Sequence, residues 1–248
     1  MTAPRSRALY AQAVEEVRMT LEHGERLLVT FVIPLAGLLL FSEVPIVSTG
    51  SQPRVQFFAP SVLALAVVST AMVNLGISTG FERGWGVLKR LGATPLGRPR
   101  LLAAKIITVV VVEVVQSVVL VTVGVALGWR LEGSAVAVVE AVGVALLASI
   151  AFGGIGLVMA GALKAELNLA AANGLYLVLL LLGGMVVPLG KLPGVLGTVS
   201  RLLPPAALST ALRSALSSTS DVSLHSFVVL AVWAFIAPCV AAVTFRWE

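Results

Sequence analysis

The basic stretch FERGWGVLKRLGATPLGRPRLLAAK, from Phe81 to Lys105, lies between two long apolar runs. Helical spacing separates its apolar face from its charged face, with Glu82 and Lys89 on the flanks. The apolar face carries Phe81, Trp85, Leu88 and Gly92, and the opposite face carries Arg83 and Arg90. Thr94-Pro95 ends the helix, because proline disfavours the helical conformation of the preceding residue. The stretch is therefore predicted to be an amphipathic helix and a turn, not a membrane span.

The composition around this stretch is that of a membrane protein. Of the 248 residues, 58% are hydrophobic and 12% charged, and the mean hydropathy is +1.02. A helix needs about 20 apolar residues to cross a bilayer, and six runs meet this length. They lie near residues 27–47, 57–80, 101–128, 134–162, 169–188 and 224–245. We predict an all-α integral membrane protein with six transmembrane helices in a single domain, residues 1–248.

The distribution of basic residues predicts the topology, since cytoplasmic loops carry an excess of lysine and arginine. If the N-terminus is inside, twelve of the seventeen basic residues lie on the inner side. These are Arg5, Arg7, Arg18, Arg26, Arg83, Lys89, Arg90, Arg98, Arg100, Lys105, Lys164 and Arg246. Both termini are then cytoplasmic, in a multi-pass protein of the cell (plasma or inner) membrane. Topology and contact with anionic lipid account for the net charge of +5, so no nucleic-acid partner is expected.

The N-terminal segment from Tyr10 to Arg26 has apolar residues at helical spacing and acidic residues on its other side. This pattern predicts an interfacial helix on the inner leaflet. A soluble helix packed on a partner protein fits the same pattern, and the two interpretations are compatible.

Glycines indicate where helices approach one another. Gly124 and Gly128 have the small-xxx-small spacing that permits close helix contact, and a second group lies in the fourth run. That group consists of Gly153, Gly154, Gly156 and Gly161.

The segment from Pro188 to Ser220 contains two short helical patterns, broken at Pro204-Pro205. Leu196 belongs to the first pattern and Leu212 to the second. The segment is too apolar for a free loop and too interrupted for a span, so we predict a re-entrant hairpin on the outer side.

Two features resemble the type-2 ATP-binding-cassette (ABC) exporter permeases. The first is the spacing within the basic stretch: Glu82-Arg83, Gly86, Leu88, Leu91, Thr94-Pro95-Leu96, Arg98, Leu101-Leu102 and Lys105. The second is the pair of short outer helices before the last span, with its Leu-Pro-Pro punctuation. Val87 departs from the family pattern, which often has threonine after the glycine. With six spans and internal termini, the resemblance covers nearly the whole chain.

The resemblance implies that the basic stretch is a coupling helix, which docks in a groove of a separate ATPase subunit. The residues it assigns to this contact are Glu82, Arg83, Trp85, Leu88, Lys89, Arg90, Thr94, Pro95 and Arg98. Two ATPases would assemble with two permeases, identical or homologous, and export drugs, lipids or other amphipathic compounds. ATP and Mg would bind only to the partner ATPase. Because the apolar faces of the outer hairpin have no other evident way to be buried, we also predict that it closes the path as an external gate formed by Leu196, Pro204, Pro205 and Leu212.

Three polar residues within the spans are expected to line the translocation path: Asn74, Glu113 and Gln116. Glu113 lies near mid-bilayer, where a charge costs roughly 2.5–3.5 kcal/mol. It should therefore face a hydrated space, form a pair or be protonated. The alternative is a structural hydrogen-bonding group, with Gln116 or Asn74 as its partner.

Several kinds of chemistry are excluded by the sequence. No Gly-x-x-x-x-Gly-Lys-Ser/Thr phosphate loop occurs, so the chain is not expected to hydrolyse ATP or to hold a cofactor itself. The two histidines, His23 and His225, fall on opposite sides of the predicted membrane, so no metal site is expected. The remaining alternative is a proton-coupled secondary carrier that uses Glu113 and Glu140.

Overall fold

The computed structural model describes residues 14–15, 18, 24–44, 53–92, 98–217 and 222–245. Within these ranges all regular structure is helical. The helices are α1 (Gly24–Glu43), α2 (Arg54–Gly84), α3 (Val87–Gly92), α4 (Arg98–Ala126), α5 (Ala135–Ala162), α6 (Ala165–Leu182), α7 (Gly194–Arg201), α8 (Pro204–Ala215) and α9 (Leu224–Thr244). The predicted all-α fold is confirmed.

Five of these helices are long and apolar enough to cross a membrane: α2, α4, α5, α6 and α9. They coincide with the second to sixth predicted spans. The helix α1 coincides with the first predicted span and is apolar from Thr30 to Glu43, although it ends four residues earlier than predicted. The predicted interfacial helix, Tyr10 to Arg26, lies largely outside the described residues, and its last three residues are the first turn of α1.

The helices run alternately between the two ends of the bundle, which gives each end its own set of connections. One end, called the loop end here, carries the C-terminus of α2, helix α3 and the connection from α5 to α6. The opposite end, called the hairpin end, carries the N-terminus of α2, the turn of residues 127–134, and α7 and α8. The loop end contains most of the basic stretch of residues 81–105.

The core is built around α5, which packs most extensively against α9 and also contacts α2. Glycines allow this close packing. A Cβ at Gly154 would lie 2.6 Å from the backbone nitrogen of Pro238 in α9, and a Cβ at Gly156 would lie 2.6 Å from the carbonyl oxygen of Met72 in α2. Any side chain at either position would displace a helix backbone, so the prediction that this glycine group permits close helix approach is confirmed.

The two glycines of the predicted pair, Gly124 and Gly128, have different roles. A Cβ at Gly124 would lie 2.9 Å from the ring of Trp129 and 3.7 Å from Ala59 of α2, so Gly124 does sit at a close contact. Gly128 lies beyond the end of α4 with φ +92°, a left-handed conformation that glycine adopts readily, and nothing lies within 4 Å of an added Cβ. The prediction that both glycines serve helix packing was therefore wrong for Gly128, which forms a turn.

The segment that was predicted to lie on the outer side forms two short helices, α7 and α8, which are bent by 77° with respect to each other. The break falls at residues 202–203, directly before Pro204 and Pro205 at the start of α8. Proline suits the first turn of a helix, because the amide hydrogens there have no partner within the helix. The predicted pair of helices and its break are confirmed.

Candidate functional site

The basic stretch contains a break that the sequence pattern did not predict. The helix α2 ends at Gly84, and α3 begins at Val87 after a turn. Gly86 lies in this turn with φ +69°, which glycine adopts without the steric strain of a side chain. The prediction of one continuous amphipathic helix was therefore wrong, because the left-handed turn redirects the chain. It separates Trp85 from Leu88, which a continuous helix would have placed on one face.

Glu82 faces the interior of this chain. Its carboxylate oxygens each lie 2.7 Å from the ammonium nitrogen of Lys105 on α4. The Lys105 side chain is 2% exposed and that of Glu82 is 24% exposed. A buried ammonium needs such a partner, because leaving it unpaired carries a large desolvation penalty. The pair thus joins the end of α2 to the beginning of α4.

Arg83 also binds within the chain, at the opposite side of the same turn. Its guanidinium donates to the carbonyl oxygens of Gly161 and Leu163, the latter at 2.6 Å. These carbonyls lie at the C-terminus of α5, where helix carbonyl groups lack partners and the helix dipole is negative. Arg83 therefore caps α5 and fixes the end of α2 to it.

A third contact holds α6 against the same part of α2. The Asn168 side-chain amide donates to the carbonyl oxygen of Gly76 at 2.8 Å. A Cβ at Gly80 would lie 2.6 Å from the same amide nitrogen, so glycine makes room for the asparagine. The loop end of α2 is thereby tied to α4, α5 and α6 by three polar side chains.

The next residues of the stretch divide between the core and the surface. Leu88 is 0% exposed and anchors α3 in the core. Trp85 is 63% exposed, and Lys89 and Arg90 are exposed on α3. Arg90 donates to the carbonyl oxygen of Trp85 at 3.3 Å, and the ring of Trp85 lies 5.5 Å from that of Phe81. The three exposed side chains Trp85, Lys89 and Arg90 are called the α3 surface here.

The structure describes only some of the remaining residues that were predicted to contact the ATPase. Thr94 and Pro95 lie outside the described residues, and the backbone of Arg98 begins α4. The predicted role of all these residues in an ATPase contact stays a prediction.

Polar side chains predicted to line a translocation path form a buried cluster between α1, α2 and α4. Gln116 accepts from the Thr70 hydroxyl at 3.0 Å and donates to the Thr30 carbonyl oxygen at 2.8 Å. Asn74 donates to the Thr30 hydroxyl at 3.1 Å, as expected for a residue that faces protein. Thr70 and Asn74 belong to a π-helical turn of α2, Ser69–Asn74. Such interhelical hydrogen bonds stabilise helix association where no water is present.

Glu113 lies apart from this cluster, on the side of α4 that faces α5. Its Oε2 atom lies 2.5 Å from the Ser149 hydroxyl, which also lies 2.8 Å from the Ala145 carbonyl oxygen. One hydroxyl has only one proton to donate. The Ser149 hydroxyl therefore donates either to Glu113 Oε2 or to the Ala145 carbonyl oxygen at any one time, and the carboxyl oxygen is the acceptor. The predicted hydrogen-bond partner, Gln116 or Asn74, was wrong, because the side chain turns toward α5.

Glu140, the second carboxylate of the proton-carrier alternative, is exposed on α5. It lies nine residues before Ser149, about 13.5 Å along the helix axis at a rise of 1.5 Å per residue. Within the described ranges, Ser149 is the one side chain that hydrogen-bonds to Glu113. No contact in the described part of the chain joins the two carboxylates.

The four predicted gate residues divide between the two hairpin helices. Pro204 and Pro205 are buried, and Leu212 is 4% exposed, so α8 lies within the protein. Leu196 on α7 is 47% exposed, so the apolar face of α7 lies on the surface of this chain. Burial within the chain is therefore observed for α8 and not for α7, and the predicted re-entrant path through the membrane stays a prediction.

Sequence reasoning missed three residues that the structure brings into these sites. Lys105 was counted as a topology signal and as part of the family resemblance, but its pairing with Glu82 was not predicted, and Ser149 was not singled out. Arg213 could have been found, since it is the one charged residue of the otherwise apolar or small helix α8.

Comparison with known proteins adds one finding. The family model described as ABC-2 type transporter matches residues 16–217, which include α1 to α8 as described above. A comparison with curated proteins finds no match.

Proposed function

This chain belongs to the ABC-2 type transporter family, and on that premise we propose that it is the membrane-spanning subunit of an ATP-driven exporter. It moves drug-like, lipidic or other amphipathic compounds out of the cell, and a separate dimeric ATPase supplies the energy. ATP and Mg bind to that ATPase, and a second permease, identical or homologous, completes the path. The protein lies in the cell (plasma or inner) membrane, with its loop end in the cytoplasm.

The single observation that supports this proposal most directly is the division of the basic stretch at Gly86. Glu82 and Arg83 bind inside the chain, whereas Trp85 and Arg90 point away from it. Tryptophan and arginine are the side chains that most often dominate protein interfaces. The α3 surface therefore offers an aromatic anchor and two cations to a partner.

The inward contacts explain how docking on α3 can move the spans. The turn is fixed to α4 through the Glu82–Lys105 pair and to α5 through the bonds of Arg83. Leu88 is packed in the core, so α3 is held to the bundle and does not hang from a flexible linker. A displacement of α3 by the ATPase is passed to the loop ends of α2, α4 and α5 together.

Apolar surface on the spans supports contact with lipid and with a second permease. The side of α4 that faces away from the core exposes Val114, Val118 and Val125. Exposure of such an apolar surface to water is unfavourable, so the surface is suited to contact with lipid or with another apolar helix.

The test is co-purification of an ATPase with the tagged chain in a mild detergent, followed by mass spectrometry. Wild-type protein is expected to recover an ABC ATPase, and the Trp85→Ala/Arg90→Ala variant is expected to recover at least roughly ten-fold less, the effect of one lost interface hot spot. Arg201→Ala is the matched control, since Arg201 is exposed at the hairpin end. Equal recovery with wild type and the double variant would rule out the α3 surface as the docking site.

Transport is tested separately in inverted membrane vesicles that contain the chain and the recovered ATPase. ATP-dependent accumulation of a fluorescent amphipathic dye is expected, because export from the cell is import into an inverted vesicle. Accumulation in right-side-out vesicles alone would contradict the proposed direction.

A further inference from the structure

A cavity of about 730 Å³ opens at the hairpin end of the chain. It lies between the first turns of α2, the turn of residues 127–134 and the C-terminal part of α8. Its lining includes Gln56, Phe57, Pro60, Arg130, Glu132 and Arg213. The cavity is remote from the α3 surface and has no part in the function proposed above.

Arg213 lines this cavity, and the groups that accept its hydrogen bonds are electrically neutral. Its Nη1 atom donates to the Ser61 hydroxyl at 3.0 Å and to the Gly184 carbonyl oxygen at 2.8 Å, and its Nη2 atom donates to the Ser209 hydroxyl at 3.3 Å. The guanidinium carbon lies 4.7 Å from the centre of the Phe57 ring. These contacts orient the guanidinium but supply no negative charge.

The hydrogen bonds of Arg213 leave some of its donors free. A guanidinium has five N–H donors, and the three bonds use three of them. Within the described ranges no carboxylate lies within 4.0 Å of Arg213 or of Arg130. A partly buried cation without a counter-ion is unfavourable, and an anion that reaches it gains a charge-assisted hydrogen bond.

The charges around the cavity favour an anion over a cation. Among the residues that the structure describes, two arginines and one carboxylate, Glu132, line the space, so this part of the lining has a positive net charge. Arg130 and Glu132 are both exposed in the turn of residues 127–134, at the rim of the cavity. Arg130 therefore attracts an approaching anion, and Glu132 opposes it.

The walls determine which kind of anion fits. Phe57, Pro60 and Leu216 supply apolar surface beside the arginines. A small hydrated anion gains nothing from these walls, whereas a molecule with an apolar part and an anionic group contacts both kinds of surface. We propose that this cavity binds the anionic group, phosphate or carboxylate, of an amphipathic molecule, which is a binding site additional to the proposed transport function.

The proposal is tested by binding alone, on the purified full-length chain in a neutral maltoside detergent. Isothermal titration with dodecyl phosphate is compared with titration of inorganic phosphate and of the uncharged dodecanol. Dodecyl phosphate is expected to bind. Binding of inorganic phosphate as well would identify the phosphate group itself as the ligand, and its absence would show that the apolar part is needed.

Two substitutions at exposed positions are expected to change dodecyl phosphate binding in opposite directions. Two residues with only a structural role would not give opposite changes in binding. Arg130→Gln is expected to weaken dodecyl phosphate binding roughly ten-fold, the effect of one charge-assisted hydrogen bond. Glu132→Gln is expected to strengthen it, because a repulsive charge is removed. Arg201→Gln, at an exposed arginine that does not line the cavity, is expected to have no effect.

Arg213 is tested by a conservative replacement, because its hydrogen bonds also hold the fold. Arg213→Lys keeps the positive charge and is expected to retain part of the binding, whereas Arg213→Gln is expected to abolish it in protein that still melts cooperatively. The proposal is overturned if neither phosphate probe binds, if dodecanol binds as well as dodecyl phosphate, or if Arg130→Gln and Glu132→Gln leave binding unchanged.

Discussion

The ion pair between Glu82 and Lys105 provides a quantitative test of how the loop end is held together. Replacing Glu82 by glutamine leaves the ammonium of Lys105, which is 2% exposed, without its carboxylate. Removing one partner of a buried ion pair lowers the free energy of unfolding by about 3–5 kcal/mol. Because Glu82 is 24% exposed, we expect a loss near the lower end of this range. At roughly 2–4 °C per kcal/mol for a chain of this length, a loss of about 3 kcal/mol lowers the melting temperature by ~6–12 °C.

The assay is thermal unfolding of purified protein in detergent, followed by the fluorescence of its tryptophans. Glu82→Gln and Lys105→Met are measured singly and together, because the double variant removes both charges. We expect the double variant to be clearly less destabilised than the sum of the two single variants. The matched surface control is Lys164→Met, at an exposed lysine of the loop end, with an expected change in the free energy of unfolding within about 0.5 kcal/mol. Single variants that melt like wild type, or strictly additive effects, would refute the view that this pair holds α2 to α4.

Three further predictions concern the core, the buried carboxyl and the hairpin. Gly156→Val places a side chain against α2, where a Cβ would already lie 2.6 Å from a carbonyl oxygen, so it should destabilise the protein by about 1–3 kcal/mol. The control Gly174→Val has nothing within 4 Å of its Cβ and should melt like wild type. Equal melting temperatures of the two variants would contradict the packing of α5 against α2. Glu113→Gln retains an acceptor oxygen for the Ser149 hydroxyl and should fold and transport cationic and neutral compounds like wild type. Selective loss of cation transport in membrane vesicles would instead show a role for the charge of Glu113. A cysteine at Leu196 should react with a bulky polar thiol reagent in the purified chain and one at Leu212 should not, because these side chains are 47% and 4% exposed; equal reactivity would show that α8 is not buried.

The spans and the hairpin were predictable because each depends on local sequence. Apolar runs of sufficient length identify helices whatever their neighbours are, and Pro204-Pro205 marks the start of α8 by the backbone chemistry of proline. The glycines that face α2 and α9 could be recognised as a group. Their individual partners could not, since spacing does not tell which helix lies opposite.

The candidate sites were predicted less well, because they depend on which helices meet. Hydropathy alone does not place α5 beside α4, so the contact between Ser149 and Glu113 could not be inferred. The break at Gly86 also escaped prediction. Glycine is tolerated in a short helix as well as in a left-handed turn, so the sequence around Gly86 does not choose between the two conformations. The exposure of Leu196 depends in the same way on what lies beside α7.

The most direct test of the central claim is photo-crosslinking from the α3 surface in membranes that contain the ATPase. Benzoylphenylalanine replaces Trp85 in one variant and Val195, an exposed residue of α7 at the hairpin end, in the other. If an ATPase docks on the α3 surface, illumination joins it to the chain from position 85 and not from position 195. Crosslinks to an ATPase from position 195, or none from position 85 in an assembled and active transporter, would contradict the account.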